Sequence, residues 1–463
     1  MANILTRFNQ SQYRGLVILV LDLLLFFALI HYLPFSPKEN KGLALLVFAG
    51  VLWLTEAFHI TVTALMIPVL AIFMGLLNTK AAFATFSEPI IFMFFGGFVL
   101  AAVLQIQNLD KVLASYIIRA AGGKLKHTIF YLFGATAFIS MWINNTAVAA
   151  MMLPLAMGIL SGVNVQTDRK TYAFVLLGIA FSASIGGIGT LVGSAPNGIL
   201  ATQLDITFAE WLKYGIPVMV LLLLGMLFSM WVVLRPNLDA EFDFQLDDVP
   251  LDQKKIITLA VFFVTVVFLC FGSLINPALS SLLGLSGKIS NFDSVVVMCV
   301  VVALIVLGTA KWSQIQERVE WGVLMLFGGG LTLSVVMKDS GASQIMADSI
   351  VNVVGQQHWV VIMLALTAFI VFLTEFTSNT ASAALLMPIF IAIAQSLGVE
   401  PIALAAIIAC GASCAFMLPI ATPPNAIVFA TGYIELKEMA KVGFVLNICS
   451  ILVIGLLAYF FWM

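Results

Sequence analysis

Charge is what this 463-residue chain has least of. Aspartate, glutamate, lysine and arginine make up 10% of it, against 62% hydrophobic residues, and mean hydropathy is +1.11. A soluble domain carries roughly a quarter charged residues, so the composition excludes one and indicates a polytopic membrane protein. A net charge of −2 offers no basic surface to nucleic acid. The five cysteines, Cys270, Cys299, Cys410, Cys414 and Cys449, include no C-x-x-C pair and mostly fall in apolar segments. They read as buried inert thiols. His31, His59, His127 and His358 lie near segment ends without metal-ligand spacing. The chain has no phosphate-binding glycine loop and no nucleophile–base arrangement, which argues against an ATP-driven pump and against an enzyme. Repeats of about 20–50 residues, the mark of a solenoid, are absent as well.

Long apolar segments fill the space that charge vacates. They run over 16–34, 43–58, 60–78, 89–107, 129–161, 172–202, 214–234, 256–275, 293–310, 321–337, 359–397, 401–431 and 439–462. The first has no small-residue cleavage site and reads as a retained span rather than a signal peptide. A span needs about 20 apolar residues, so 129–161 and 359–397 are too long for one crossing. Each is either two spans or a hairpin that enters and leaves on one side. The basic residues test the hairpin reading. With a cytoplasmic N-terminus, two hairpins and eleven full spans, 15 of the 21 lysines and arginines face the cytoplasm and 6 face out, in keeping with the positive-inside rule. The first hairpin then opens inward, the second outward, and the C-terminus lies outside. Segments 108–127 and 338–357 become amphipathic connectors along opposite membrane faces.

Both long segments carry the same polar motif. Asn144-Asn145-Thr146 leads into Ala147 and reaches Pro154; Ser378-Asn379-Thr380 leads into Ala381 and reaches Pro388. Amides and hydroxyls in hydrocarbon must find partners, so two such runs at matching positions point to one site built from two halves. Phe95-Gly96-Gly97 likewise matches Phe327-Gly328-Gly329. Gly193-Ser194-Ala195-Pro196-Asn197 matches Ala421-Thr422-Pro423-Pro424-Asn425. An odd number of spans separates equivalent elements, so the second half is inverted, as in secondary transporters. The glycines at 186, 187, 189 and 193 and the prolines at 419, 423 and 424 predict a broken helix in each half. Freed carbonyls suit a cation and freed amides suit an anion. Neither motif contains lysine or arginine, so an anion's charge must be offset by helix ends and by cations bound to neutral oxygens.

These residues resemble the divalent anion/sodium symporter family, most closely its bacterial INDY-type sodium/dicarboxylate symporters. The resemblance covers essentially the whole chain, including Trp53–Ala57 and Leu373–Ala384. It implies an all-α inverted-repeat transporter of the elevator type: eleven transmembrane helices, two re-entrant hairpins and two broken helices, forming a homodimer in the bacterial inner membrane. Residues 1–127 and 236–357 would be scaffold, and 128–235 and 358–463 the transport part. The substrate would be a C4 dicarboxylate such as succinate, fumarate or malate, carried with sodium. By position, the first sodium site would use Ser140, Asn144, Asn145 and Gly193, and the second Thr374, Thr377, Asn379 and Ala421. Substrate would meet Asn145, Thr146, Ser194, Ser378, Asn379, Thr380 and Thr422. The first motif departs from the family serine at Asn144. A sodium-independent exchanger on the same fold and an anion channel are the competing functions.

Glu375 has two readings, a cation or proton site or a hydrogen-bonded structural group. Glu56 is expected to end a span near the interface. The acids at 239, 241, 243, 247, 248 and 252 read as a solvated cytoplasmic connector.

Overall fold

The computed structural model describes residues 10–109, 112, 116, 125–165, 168–238, 250–354 and 358–463, and every regular element among them is helical. In chain order these are α1 (Gln10–Tyr32), α2 (Pro37–Thr55), α3 (Ile60–Phe73), α4 (Thr79–Ala84), α5 (Pro89–Ile106), α6 (Leu125–Ser140), α7 (Asn145–Leu160), α8 (Arg169–Gly186), α9 (Ala195–Leu204), α10 (Phe208–Leu234) and α11 (Gln253–Cys270). They continue with α12 (Gly272–Leu282), α13 (Phe292–Val306), α14 (Trp312–Gln316), α15 (Trp321–Ser340), α16 (Ala342–Val354), α17 (Trp359–Leu373), α18 (Asn379–Leu397), α19 (Pro401–Ala412), α20 (Pro423–Phe429) and α21 (Leu436–Leu457). Eight helical stretches among the described residues are long and apolar enough to cross a bilayer.

Local chemistry places the breaks. The segment 129–161 stops at Ser140 and restarts at Asn145, where Asn144 caps α7 by accepting Thr146 N–H at 2.8 Å. The segment 359–397 stops at Leu373 and restarts at Asn379 behind the Ser378 cap. The glycine run after α8 gives a single 3-10 turn, Gly187–Gly189, before α9 restarts at Ala195. Pro423 and Pro424 open α20, where proline's missing amide costs nothing. Glu56 does end α2, in the left-handed conformation with φ 48°.

Burial orders the helices from centre to rim. From Thr171 to Gly186 every residue of α8 is buried, and from Ala403 to Ala412 so is every residue of α19. By contrast α1 and α11 turn most of their surface outward, with Leu21, Leu24, Phe27 and Phe263 exposed. Packing repeats between the halves. As α8 packs on α6, α7 and α10, so α19 packs on α17, α18 and α21. The halves then interlock, α8 and α7 on α20, and α19 and α18 on α9. An ion-pair cluster joins the starts of α8 and α21. Arg169 pairs with Glu435, reaches Glu438 at 3.5 Å and donates to the Tyr433 carbonyl at 3.3 Å.

Two expectations shift. The connector expected at 338–357 begins later, because α15 runs through Ser340 and only Gly341, at φ 84°, ends it. That connector, α16, then packs on α18 and α2. The boundary at 127/128 falls inside the first turn of α6. Most of 108–127 and of the acidic connector lies outside the described residues; Asp252 caps α11, accepting Lys255 N–H at 2.9 Å.

Candidate functional site

The two motif turns build the same hydrogen-bonded unit. In the first half the buried Ser140 hydroxyl donates at 2.6 Å to the Ala183 carbonyl near the end of α8, and lies 2.7 Å from Asn145 Oδ1. In the second, the buried Thr374 hydroxyl lies 3.0 Å from the Ala412 carbonyl at the end of α19 and 2.6 Å from Asn379 Oδ1. Each motif turn is thereby tied by a hydroxyl to a carbonyl near the end of α8 or α19.

Around Asn145 the surroundings are nearly all oxygen. With the amide turned over, its nitrogen donates to Ser140 Oγ at 2.7 Å, Ala183 O at 3.2 Å and Gly193 O at 3.3 Å. One orientation closes the nest with N–H groups; the other adds a further oxygen to it. That is suitable chemistry for a hard cation, which takes oxygen ligands. Space there is reserved for the amide: a Cβ on Gly187 would sit 2.6 Å from Asn145 Oδ1, and one on Gly193 would sit 2.6 Å from Gly187 O.

The last residue of each G-S-x-P-N-like motif has a role the sequence reading missed. Asn197 donates from Nδ2 to the carbonyls of Gly187 at 2.9 Å and Thr190 at 2.7 Å. Asn425 donates to those of Ala415 at 3.0 Å and Leu418 at 3.1 Å. Both are fully buried. They satisfy carbonyls that the breaks set free, so only part of the freed backbone is left for ligands. The repeat itself was the available signal, since both motifs end in asparagine.

Other expected residues are placed as follows. Ser194 and Thr422 hold the N-cap positions of α9 and α20. Thr146 and Thr380 lie half-buried in the first turns of α7 and α18. Ser378 accepts Ala381 N–H at 3.5 Å. Thr377 turns to Ser382 Oγ at 2.6 Å, in the first turn of α18. Ala421 donates to Leu418 O in the turn before α20. Asn144 spends its side chain elsewhere: beyond capping α7, its amide donates to Glu320 Oε1 at 2.9 Å. Glu320 is a residue that sequence reading missed, and nothing in its neighbourhood marked it.

Glu375 is 1% exposed and serves as an acceptor only. Its two oxygens take the N–H groups of Phe416 (2.7 Å), Met417 (2.9 Å) and Leu418 (3.2 Å) and the Asn447 amide (2.7 Å). Those three amides belong to the broken stretch between α19 and α20, so the geometry fits the structural reading of this carboxylate.

Comparison with known proteins decides the family. A family model described as "Citrate transporter" (CitMHS) matches residues 50–409 and 295–463. This chain belongs to the citrate transporter (CitMHS) family. An uncharacterized transporter of Haemophilus influenzae is 55% identical over 96% of this chain and 97% of its own length. Two relatives bear the name sodium-dependent dicarboxylate transporter SdcS. That of Staphylococcus saprophyticus is 34% identical over 98% of this chain and 92% of its own, and that of Staphylococcus aureus strain USA300 is 31% identical over the same shares. The crystal structure of the Alcanivorax borkumensis YdaH transporter superposes with a TM-score of 0.57 over 98% of this chain and 99% of that one, at 16% identity. That likeness is one of fold. This CitMHS family member is therefore a multi-span membrane transporter, and the resemblance drawn from its paired motifs holds.

Proposed function

We propose that this protein imports C4 dicarboxylates such as succinate, fumarate and malate across the bacterial inner membrane, coupled to sodium. The observation that carries the reading is the duplicated unit, Ser140–Asn145–Ala183 and Thr374–Asn379–Ala412, which sets neutral oxygens together twice. Sodium occupies a site in each half, Ser140, Asn144, Asn145 and Gly193 in one and Thr374, Thr377, Asn379 and Ala421 in the other. Asn144 contributes there through its carbonyl, its side chain being engaged with Glu320 and Thr146. The dianion then meets Asn145, Thr146, Ser194, Ser378, Asn379, Thr380 and Thr422. Binding is ordered because the anion site has no fixed positive charge until cations arrive. The names of the staphylococcal relatives support both sodium and dicarboxylate.

The transport part comprises 128–235 and 358–463 and moves as an elevator against 1–127 and 236–357. In this reading eleven helices cross the membrane and the two motif hairpins re-enter it. The N-terminus is cytoplasmic, the C-terminus lies outside, and two copies dimerise through the scaffold.

The test is uptake of radiolabelled succinate into proteoliposomes under an inward sodium gradient, set against an equal potassium gradient. Sodium-only uptake is expected. Uptake without sodium that requires dicarboxylate inside would make the protein an exchanger and remove both cation sites.

A further inference from the structure

The correspondence between the halves extends one residue past the carbonyls that accept the two motif hydroxyls. Ala183 and Ala412 receive the Ser140 and Thr374 hydroxyls, and each is followed by a serine, Ser184 and Ser413. Ser413 is 1% exposed, and its Oγ lies 3.1 Å from Ser194 Oγ, across the junction between the halves. Ser194 opens α9. Thr422 opens α20 with the same extended backbone, φ −142° and ψ 149° against −144° and 137°. The helices around them correspond too, α19 packing on α9 as α8 packs on α20. By the repeat, the counterpart of the Ser413–Ser194 contact is one between Ser184 and Thr422.

That second contact is not made in this arrangement. Ser184 is 2% exposed and its hydroxyl has no hydrogen-bond partner. Thr422 Oγ1 meanwhile accepts Asn425 N–H at 3.3 Å, a long bond. A buried orphan hydroxyl is costly, and each such group in a folded protein calls for an explanation. A partner that arrives in another state supplies one.

We propose that Ser413 and Ser184 are positioning residues that couple each cation site to the substrate hydroxyl of the opposite half. Ser413 holds Ser194, and Ser184 takes up Thr422 when ligand closes the site. This rests on the functional reading above. The peptide unit joining Ala412 to Ser413 presents its carbonyl to the Thr374–Asn379 oxygens, so a cation there acts on the unit that carries Ser413; Ala183 and Ser184 repeat the arrangement. A serine hydroxyl has one proton to give. When Ser413 donates to Ser194, the Ser194 proton is left free for a substrate carboxylate.

The test compares Ser413→Ala, Ser413→Thr and Ser184→Ala with wild type in full-length protein, by succinate uptake in saturating sodium and by melting with and without succinate. Both alanine variants are expected to raise the succinate KM about 3- to 10-fold, the worth of one hydrogen bond, while the maximal rate changes by less than about twofold. Ser413→Thr restores the KM. Without succinate, Ser184→Ala melts no lower than wild type, because it removes an orphan, yet its stabilisation by succinate shrinks. A wild-type KM in Ser184→Ala overturns the proposal. So does a Ser413→Ala that melts lower with KM unchanged, the mark of a plain packing role. A wild type that responds to succinate in neither assay overturns the functional reading and this inference with it, and is seen in the wild type alone.

Discussion

Asn144 Nδ2 donates to Glu320 Oε1 at 2.9 Å, tying the turn between α6 and α7 to the turn that begins α15. Asn144 belongs to the proposed moving part and Glu320 to the proposed frame. Other bonds cross the same division, among them Phe208 N–H to Asp293 Oδ2 at 2.8 Å and Gln344 to Ser396 Oγ at 3.1 Å. An elevator must break such bonds on every cycle. The Asn144–Glu320 bond is charge-assisted but exposed, so it is worth about 0.5–1 kcal/mol and biases the protein toward this arrangement without locking it. Asn144→Ala and Glu320→Ala should each change initial uptake about 2- to 5-fold in the same direction. The double variant should match Asn144→Ala, which loses both this bond and the α7 cap, since removing Glu320 as well takes away no further contact between the two. Additive effects in that cycle would show that the two residues act separately.

Ser140 and Thr374 hold equivalent places, so their loss should have equivalent effects. Ser140→Ala and Thr374→Ala each remove a buried oxygen from a proposed cation nest and release the tip from its broken helix. Each should raise the sodium concentration for half-maximal uptake about 10-fold, as expected for a lost contact to a charged group. Thr374→Ser should keep wild-type sodium dependence. Sodium titrations of uptake at saturating succinate decide it; unchanged titrations in both alanine variants would leave sodium without these sites.

Much of this site could be read in advance because it is written twice. Asn145 and Asn379, Ser194 and Thr422, and the glycine and proline breaks appear at matched positions, and chemistry that hydrocarbon penalises is conspicuous in a chain with so little charge. The helix breaks fell where the polar motifs and the prolines placed them. Glu320 stayed hidden because its partner lies 176 residues away and its own surroundings, among Arg318 and Glu317, look like any exposed turn. Ser184 and Ser413 stayed hidden because serine is ordinary in a transmembrane helix. Only packing reveals that one reaches across the halves and the other reaches nothing. The later start of the 338–357 connector turned on where α15 ends, and element boundaries depend on a terminating residue, here Gly341, more than on hydropathy.

Glu375 separates the halves chemically. Its counterpart is Met141, whose carbonyl is bonded by the Thr190 hydroxyl. The second half instead gathers three backbone amides and Asn447 on one carboxylate. Glu375→Ala leaves four donors without an acceptor, those of Phe416 and Asn447 buried and those of Met417 and Leu418 partly so, and Glu375→Gln turns an N–H₂ group toward them. Both should destabilise the protein by roughly 3 kcal/mol or more and lower its melting temperature in detergent. Asn447→Ala, which removes one donor and leaves the Glu375 carboxylate to accept the other three, should cost less. Glu375→Gln melting with wild type would mean that the acceptor set is dispensable.

Two glycines give a matched test of the Asn145 nest. Gly187 follows α8, and a Cβ there would stand 2.6 Å from Asn145 Oδ1 and 2.9 Å from both Asn145 Nδ2 and Gly193 O. Backbone and a hydrogen-bonded amide lie in those directions, so relief requires moving the nest itself. Gly134, inside α6, has nothing within 4 Å of its would-be Cβ, and alanine there should favour the helix by up to about 1 kcal/mol. Gly187→Ala should therefore abolish sodium-dependent uptake while the protein still elutes as a folded species. Gly134→Ala should transport normally and melt no lower than wild type. If Gly187→Ala kept wild-type sodium dependence, the Asn145 amide could be displaced without consequence, and the first half of the site would have to be sought away from the break in α8.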